Sequence, residues 1–130
     1  MKKTTTASLL AIFLAGCAGP QPLTPEQTKM MVGAVCNSPS ECTIMWQRAQ
    51  LWLANNSIWR IQLANDTLLQ TFGPGSSNST ELAYTITKTP IGGDKYQIRM
   101  RAGCDNIFGC LPKSAVERII EFNTYLSNTP

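Results

Sequence analysis

Four cysteines carry the clearest chemistry in this 130-residue chain: Cys36, Cys42, Cys104 and Cys110. They fall into two pairs of identical spacing, Cys36-Asn-Ser-Pro-Ser-Glu-Cys42 and Cys104-Asp-Asn-Ile-Phe-Gly-Cys110. Each intervening segment is rich in turn formers, so each pair can close on itself as a disulfide. Local closure is favoured over the two crossed pairings, and all three connectivities are open at this stage. A four-thiolate zinc site is the rival use, but structural zinc pairs usually sit closer in sequence. Other catalytic equipment is sparse. The chain has no histidine, which removes the commonest general base and metal ligand. It holds no nucleophile-elbow serine and no phosphate-binding glycine loop. Its 8 carboxylates are scattered over turns and helices, and Glu117 reads as the reciprocal cap of a helix. No enzyme, cofactor or metal is expected.

Two groups of residues suit binding. Arg99 and Arg101 alternate with apolar residues beside Gln97, a spacing that places both guanidinium forks on one face of a strand. Such forks suit carboxylates or phosphates, as on peptidoglycan peptides, lipopolysaccharide or an acidic protein surface, although the same pattern also describes an ordinary solvated face. Ile107 and Phe108 lie between Cys104 and Cys110, two large apolar residues on a covalently closed loop. They either project for insertion into a partner or tuck beneath the following helix.

A fifth cysteine stands apart. Lys2 and Lys3 precede the apolar run Ala7 to Leu14, which is too short to span a bilayer, and Leu14-Ala15-Gly16-Cys17 follows. This segment resembles the bacterial lipoprotein signal with its lipobox. The resemblance implies that residues 1–16 are removed, that Cys17 carries lipid, and that the chain is held to a membrane without a spanning helix. In envelope lipoproteins of the enterobacterial type, Asp after the cysteine favours retention in the inner membrane. Ala18 stands here instead, which implies the outer membrane, facing the periplasm. Two of the 11 basic residues lie in the signal and none of the 8 acidic ones does, which leaves a net charge of +1 and no case for nucleic acid. Residues 17–24, with Pro20 and Pro22, read as a lipidated tether, and residues 25–130 as a single α+β periplasmic domain. An exported chain also sits in an oxidising compartment, which supports disulfides over thiolates.

The elements that must position these residues follow from periodicity. Thr24-Pro25-Glu26-Gln27 is a capping box, and apolar spacing extends its helix to about Val35. Ser40 is expected to cap a second helix to about Asn55, with Ile44, Met45, Ala49, Trp52 and Leu53 inward and Trp46 at the border. From Ser57 the period becomes two, and strands are expected over 57–63, 67–72, 81–89 and 95–103. Gly73 to Ser79 reads as a flexible loop. Tyr96, Ile98, Met100 and Ala102 point to one side of the last strand, with Gln97, Arg99 and Arg101 on the other. Ser114-Ala-Val-Glu117 opens a closing helix to about Leu126.

The expectation is an α+β two-layer sandwich: a four-stranded antiparallel sheet, helices on one face, and two disulfides. Met45-Trp46 through Trp52, followed by Trp59-Arg60-Ile61 and Thr67 to Thr71, resembles the helix-grip modules of envelope lipoproteins, which implies an architecture and no functional residue. The functional expectation is a non-catalytic binding or scaffolding lipoprotein of the envelope. The alternatives are a periplasmic inhibitor of an enzyme such as lysozyme, or a cell-wall-processing enzyme.

Overall fold

The computed structural model describes residues 19, 21–75 and 78–128. Leu14-Ala15-Gly16-Cys17 and the signal segment lie outside the described residues, as do Ser76 and Ser77 of the expected flexible loop. The elements run α1 (Pro25–Met30), β1 (Ala34–Cys36), α2 (Pro39–Asn56), β2 (Ile61–Ala64), β3 (Leu68–Thr71), β4 (Ala83–Gly92), β5 (Lys95–Gly103) and α3 (Ala115–Ser127). The fold is α+β, with one antiparallel sheet ordered β1-β5-β4-β3-β2. Among the described residues no helix is long and apolar enough to cross a membrane.

Five strands form the sheet where four were expected, and β1 is the addition. The helical spacing of Ala34 and Val35 misled: α1 stops at Met30, and the chain re-enters the sheet with Ala34 and Cys36 buried and Val35 exposed. Gly33 makes this possible. A Cβ there would overlap the Ile98 carbonyl oxygen and stand 2.6 Å from Arg99 Cγ, so only glycine brings the backbone this close to β5.

The second helix also starts earlier than expected. Its cap is Ser38, not Ser40: Ser38 Oγ accepts from the Glu41 N–H at 3.3 Å, with Pro39 in the first turn. The Glu41 carboxylate accepts from the Asn37 N–H at 2.7 Å. Ser38-Pro39-Ser40-Glu41 thus repeats the logic of Thr24-Pro25-Glu26-Gln27, since proline's fixed φ fits the first helical position. Cys42 and Trp46 are buried with Met45, Ala49, Trp52 and Leu53, while Ile44, expected inside, is exposed. Trp46 is satisfied as it enters: its Nε1–H donates to the Asn65 carbonyl at 3.0 Å.

Residues opposite one another in an antiparallel ladder share a face. Leu69, Ile86 and Met100 form one buried row, and Ile98 with Ala34 continues it. Onto this face pack the buried stripes of α2 and of α3, the latter through Ile119, Phe122 and Leu126. Trp52 stands edge-on to Tyr84 at 5.7 Å and to Phe122 at 5.3 Å, joining all three layers of side chains at one point. The buried Asn123 donates to the Met30 carbonyl at 2.8 Å and fixes α1 to α3. The strand expected over 57–63 is shorter and later, beginning at Ile61 at one edge of the sheet, and all four of its residues are exposed. A register shift between Ile61 and Leu63 further breaks its alternation.

Candidate functional site

Both disulfides are local: Cys36–Cys42 with Cα atoms 5.0 Å apart, and Cys104–Cys110 with Cα atoms 5.6 Å apart. All four thiols are thereby consumed as disulfide sulfur and not as metal thiolates. The two bonds differ in setting. Cys36 and Cys42 are in the core, where they staple the end of β1 to the start of α2. Cys104 and Cys110 are half-buried and close the loop that leaves β5.

That loop is held at several points besides its disulfide. Asn106 Oδ1 accepts from the Phe108 N–H at 2.9 Å, and the Asn106 carbonyl accepts from the Gly109 N–H at 3.2 Å. Gly109 has φ +104°, a conformation that glycine adopts without a Cβ penalty and that lets the turn close. Asn106 Nδ2 donates to the Asn78 carbonyl at 2.9 Å, and the Leu111 N–H to the Thr80 carbonyl at 3.0 Å, tying the loop to the segment before β4. These bonds hold Ile107 and Phe108 outward. They are 92% and 93% exposed, so of the two sequence readings projection is the one observed. Leu111, at the exit of the same loop, and Ile58, just after α2, are also exposed and rim one pocket of about 240 Å³. Neither was singled out in the sequence, because each looks like an ordinary apolar residue until the fold brings residues 58 and 111 to one rim.

Arg99 and Arg101 are exposed and alternate along β5 with the buried Ile98 and Met100, so they point to the opposite face of the strand. The register places Arg101 opposite Thr85 and Arg99 opposite Thr87, as their alternation requires. With Thr89 they line an open groove of about 790 Å³. Neither guanidinium makes an ion pair among the described residues, where the two salt bridges are Lys113–Glu121 and Arg118–Glu121. The arginine pair and the apolar loop tip therefore belong to different parts of the surface: one lies on the sheet face, the other beyond the end of β5.

On α3, the Ser114–Glu117 capping box holds the Glu117 carboxyl below its ordinary value, first through the Ser114 N–H. The Glu121 carboxyl is also held low, first by the Lys113 ammonium it accepts from and then by Arg118. The first depression is that of a helix-capping carboxylate and the second that of a surface carboxylate paired with two cations. Comparison with known proteins finds no match to a family model, to a curated protein or to a solved structure.

Proposed function

We propose that this chain is a non-catalytic lipoprotein, anchored to the outer membrane through Cys17, that captures another envelope component on the Cys104–Cys110 loop. The observation that carries the binding half is the near-complete exposure of Ile107 and Phe108 on a segment fixed by a disulfide and four hydrogen bonds. Displaying two large apolar side chains to water forgoes about 1.5–3 kcal/mol of burial each. A partner that covers them recovers that energy, and the loop, already ordered, loses little entropy on docking. The anchor half rests on the lipobox resemblance of Leu14-Ala15-Gly16-Cys17. The helix-grip likeness is part of the same proposal, resting on the sequence resemblance and on the packing of buried α2 residues against those of the sheet. Arg99 and Arg101 offer a second contact, to a carboxylate or phosphate of peptidoglycan, lipopolysaccharide or a protein.

The inhibitor reading draws on the same loop, since a rigid convex tip with an apolar apex also suits an enzyme cleft. Crosslinking in the intact envelope from a photoreactive residue at position 107 separates the two. A captured structural or assembly protein supports scaffolding; a captured hydrolase, with loss of lysozyme activity on mixing, supports inhibition. If Ile107→Ser with Phe108→Ser leaves every crosslink from a second probe at position 111 unchanged, the docking loop is refuted. Mass spectrometry of the native product should find acyl chains on a fragment beginning at Cys17; a free thiol there removes the anchor.

A further inference from the structure

The pocket lined by Ile58 and Leu111 also has polar lining residues, Tyr84 and Arg118 among them, that the loop tip does not explain. Tyr84 is 3% exposed, yet its hydroxyl makes no hydrogen bond among the described residues. Its ring is fixed by Trp52, and the side chain lines the pocket. The hydroxyl keeps some contact with solvent although the ring is buried, so it is a donor open to an occupant of the pocket. Arg118 lies on the same wall. One of its terminal nitrogens bonds Asn56 Oδ1 at 3.3 Å and Glu121 Oε2 at 3.1 Å, and its other two nitrogens make no hydrogen bond among the described residues. The Tyr84 hydroxyl and two of the Arg118 nitrogens therefore lack acceptors among the described residues, they share the lining with the apolar Ile58 and Leu111, and the volume is about 240 Å³. That is below the roughly 300–1,000 Å³ of sites for drug-sized molecules, and it suits a single residue.

We propose that this pocket receives the C-terminal residue of a partner chain, its apolar side chain against Ile58 and Leu111 and its free carboxylate on the Tyr84 hydroxyl and Arg118. A carboxylate is the acceptor that can take both donors at once, and an arginine fork is the donor best matched to it. Charge bears on the same choice. Burial pushes the Tyr84 hydroxyl above the ordinary tyrosine range, so it stays a donor at neutral pH; among the charges acting on it Arg118 comes first, ahead of Glu121 and Glu81. Glu81, also on the pocket wall, opposes an anionic occupant. The inference deepens the docking reading of the neighbouring loop and rests on it only for the occupant's being a protein.

The test is an NMR titration of the full chain in detergent micelles, following the Arg118 Nε–H. The probes are N-acetyl-leucine, N-acetyl-leucinamide and the α-amide of N-acetyl-glutamate. N-acetyl-leucine should bind saturably and about tenfold more tightly than its amide, the worth of a hydrogen bond to a charged group. It should also exceed the glutamate probe, which presents a carboxylate without the branched apolar body. Tyr84→Phe should weaken the acid about tenfold without lowering the unfolding midpoint, because the lost hydroxyl has no protein partner. Glu81→Gln should tighten it a few-fold. Absence of saturable binding, equal binding of acid and amide, equal binding of the glutamate probe, or indifference to Tyr84→Phe would each overturn the assignment. These probes never touch Ile107 or Phe108, so a failed titration beside intact crosslinking from the loop condemns the pocket alone.

Discussion

The two disulfides offer a matched comparison, because they close loops of the same sequence separation, 6, in different surroundings. The chain-entropy relation for loops this short gives each about 2 kcal/mol at 25 °C, acting on the unfolded state. What differs is the native side. Cys36 and Cys42 are 0% and 4% exposed, whereas Cys104 and Cys110 retain contact with water. Replacing the first pair by alanine removes two sulfurs from a filled core, at about 1 kcal/mol each for lost transfer and residual cavity. Cys36→Ala with Cys42→Ala should therefore cost about 4 kcal/mol, and Cys104→Ala with Cys110→Ala about 2 kcal/mol. Urea denaturation of the full chain in detergent measures both, provided the slope with denaturant stays constant. The loop variant should also lose most crosslinking to the partner while the core of the sheet keeps its amide protection. Equal losses of stability, or a larger one for the loop pair, would refute the assignment of one bond to the core and the other to display.

Gly33→Ala should destabilise by about 3 kcal/mol, the upper end for overpacking, because the new methyl meets the backbone of Ile98, and amide exchange should speed up across β1. Ser38→Ala removes the cap of α2 and should cost about 1 kcal/mol in thermal or chemical unfolding, whereas Ser40→Ala should cost far less. Glu121 titrates lower in the folded chain than in the unfolded one, so its contribution is present above the unfolded value of about 4.3 and is lost as pH falls through the folded value. Stability should accordingly decline on that acid limb, by a small amount because the pair is exposed, and Glu121→Gln should flatten it. Ile107→Ser with Phe108→Ser should leave the unfolding midpoint within about 0.5 kcal/mol, since neither side chain is buried; a larger loss would mean that the loop tip supports the fold.

Local order along this chain is written in local signals. The strand at 95–103 and the closing helix follow from alternation and from a capping box, and both are observed within one or two residues of expectation. Both cysteine pairs close as their spacing suggests. β1 was hidden because three residues are too few for a period to declare itself, and because Ala34 and Val35 also fit a helical stripe. Only the close approach of Gly33 to Ile98, some 65 residues away in sequence, decides for strand. The interchange of Ile44 and Trp46 lies at the border of the stripe: Met45, Ala49, Trp52 and Leu53 are buried as expected, and packing against the sheet decides which flanking residue joins them.

The candidate site divides along the same line. Sequence alone singled out the candidates for binding: a closed loop with two apolar residues, a strand with two arginines, and Cys17 in a segment that resembles a lipobox. It also determined what chemistry is scarce, through the missing histidine and scattered carboxylates. Tertiary structure decided orientation and company. Whether Ile107 and Phe108 face water or the last helix depends on bonds from Asn106 and Leu111 to residues 78 and 80, which no local pattern encodes. The meeting of Ile58, Tyr84, Leu111 and Arg118 around one pocket likewise exists only once α2, β4 and α3 have packed. Propensity acts within a few residues of itself, whereas a pocket is made by what long-range packing leaves unfilled.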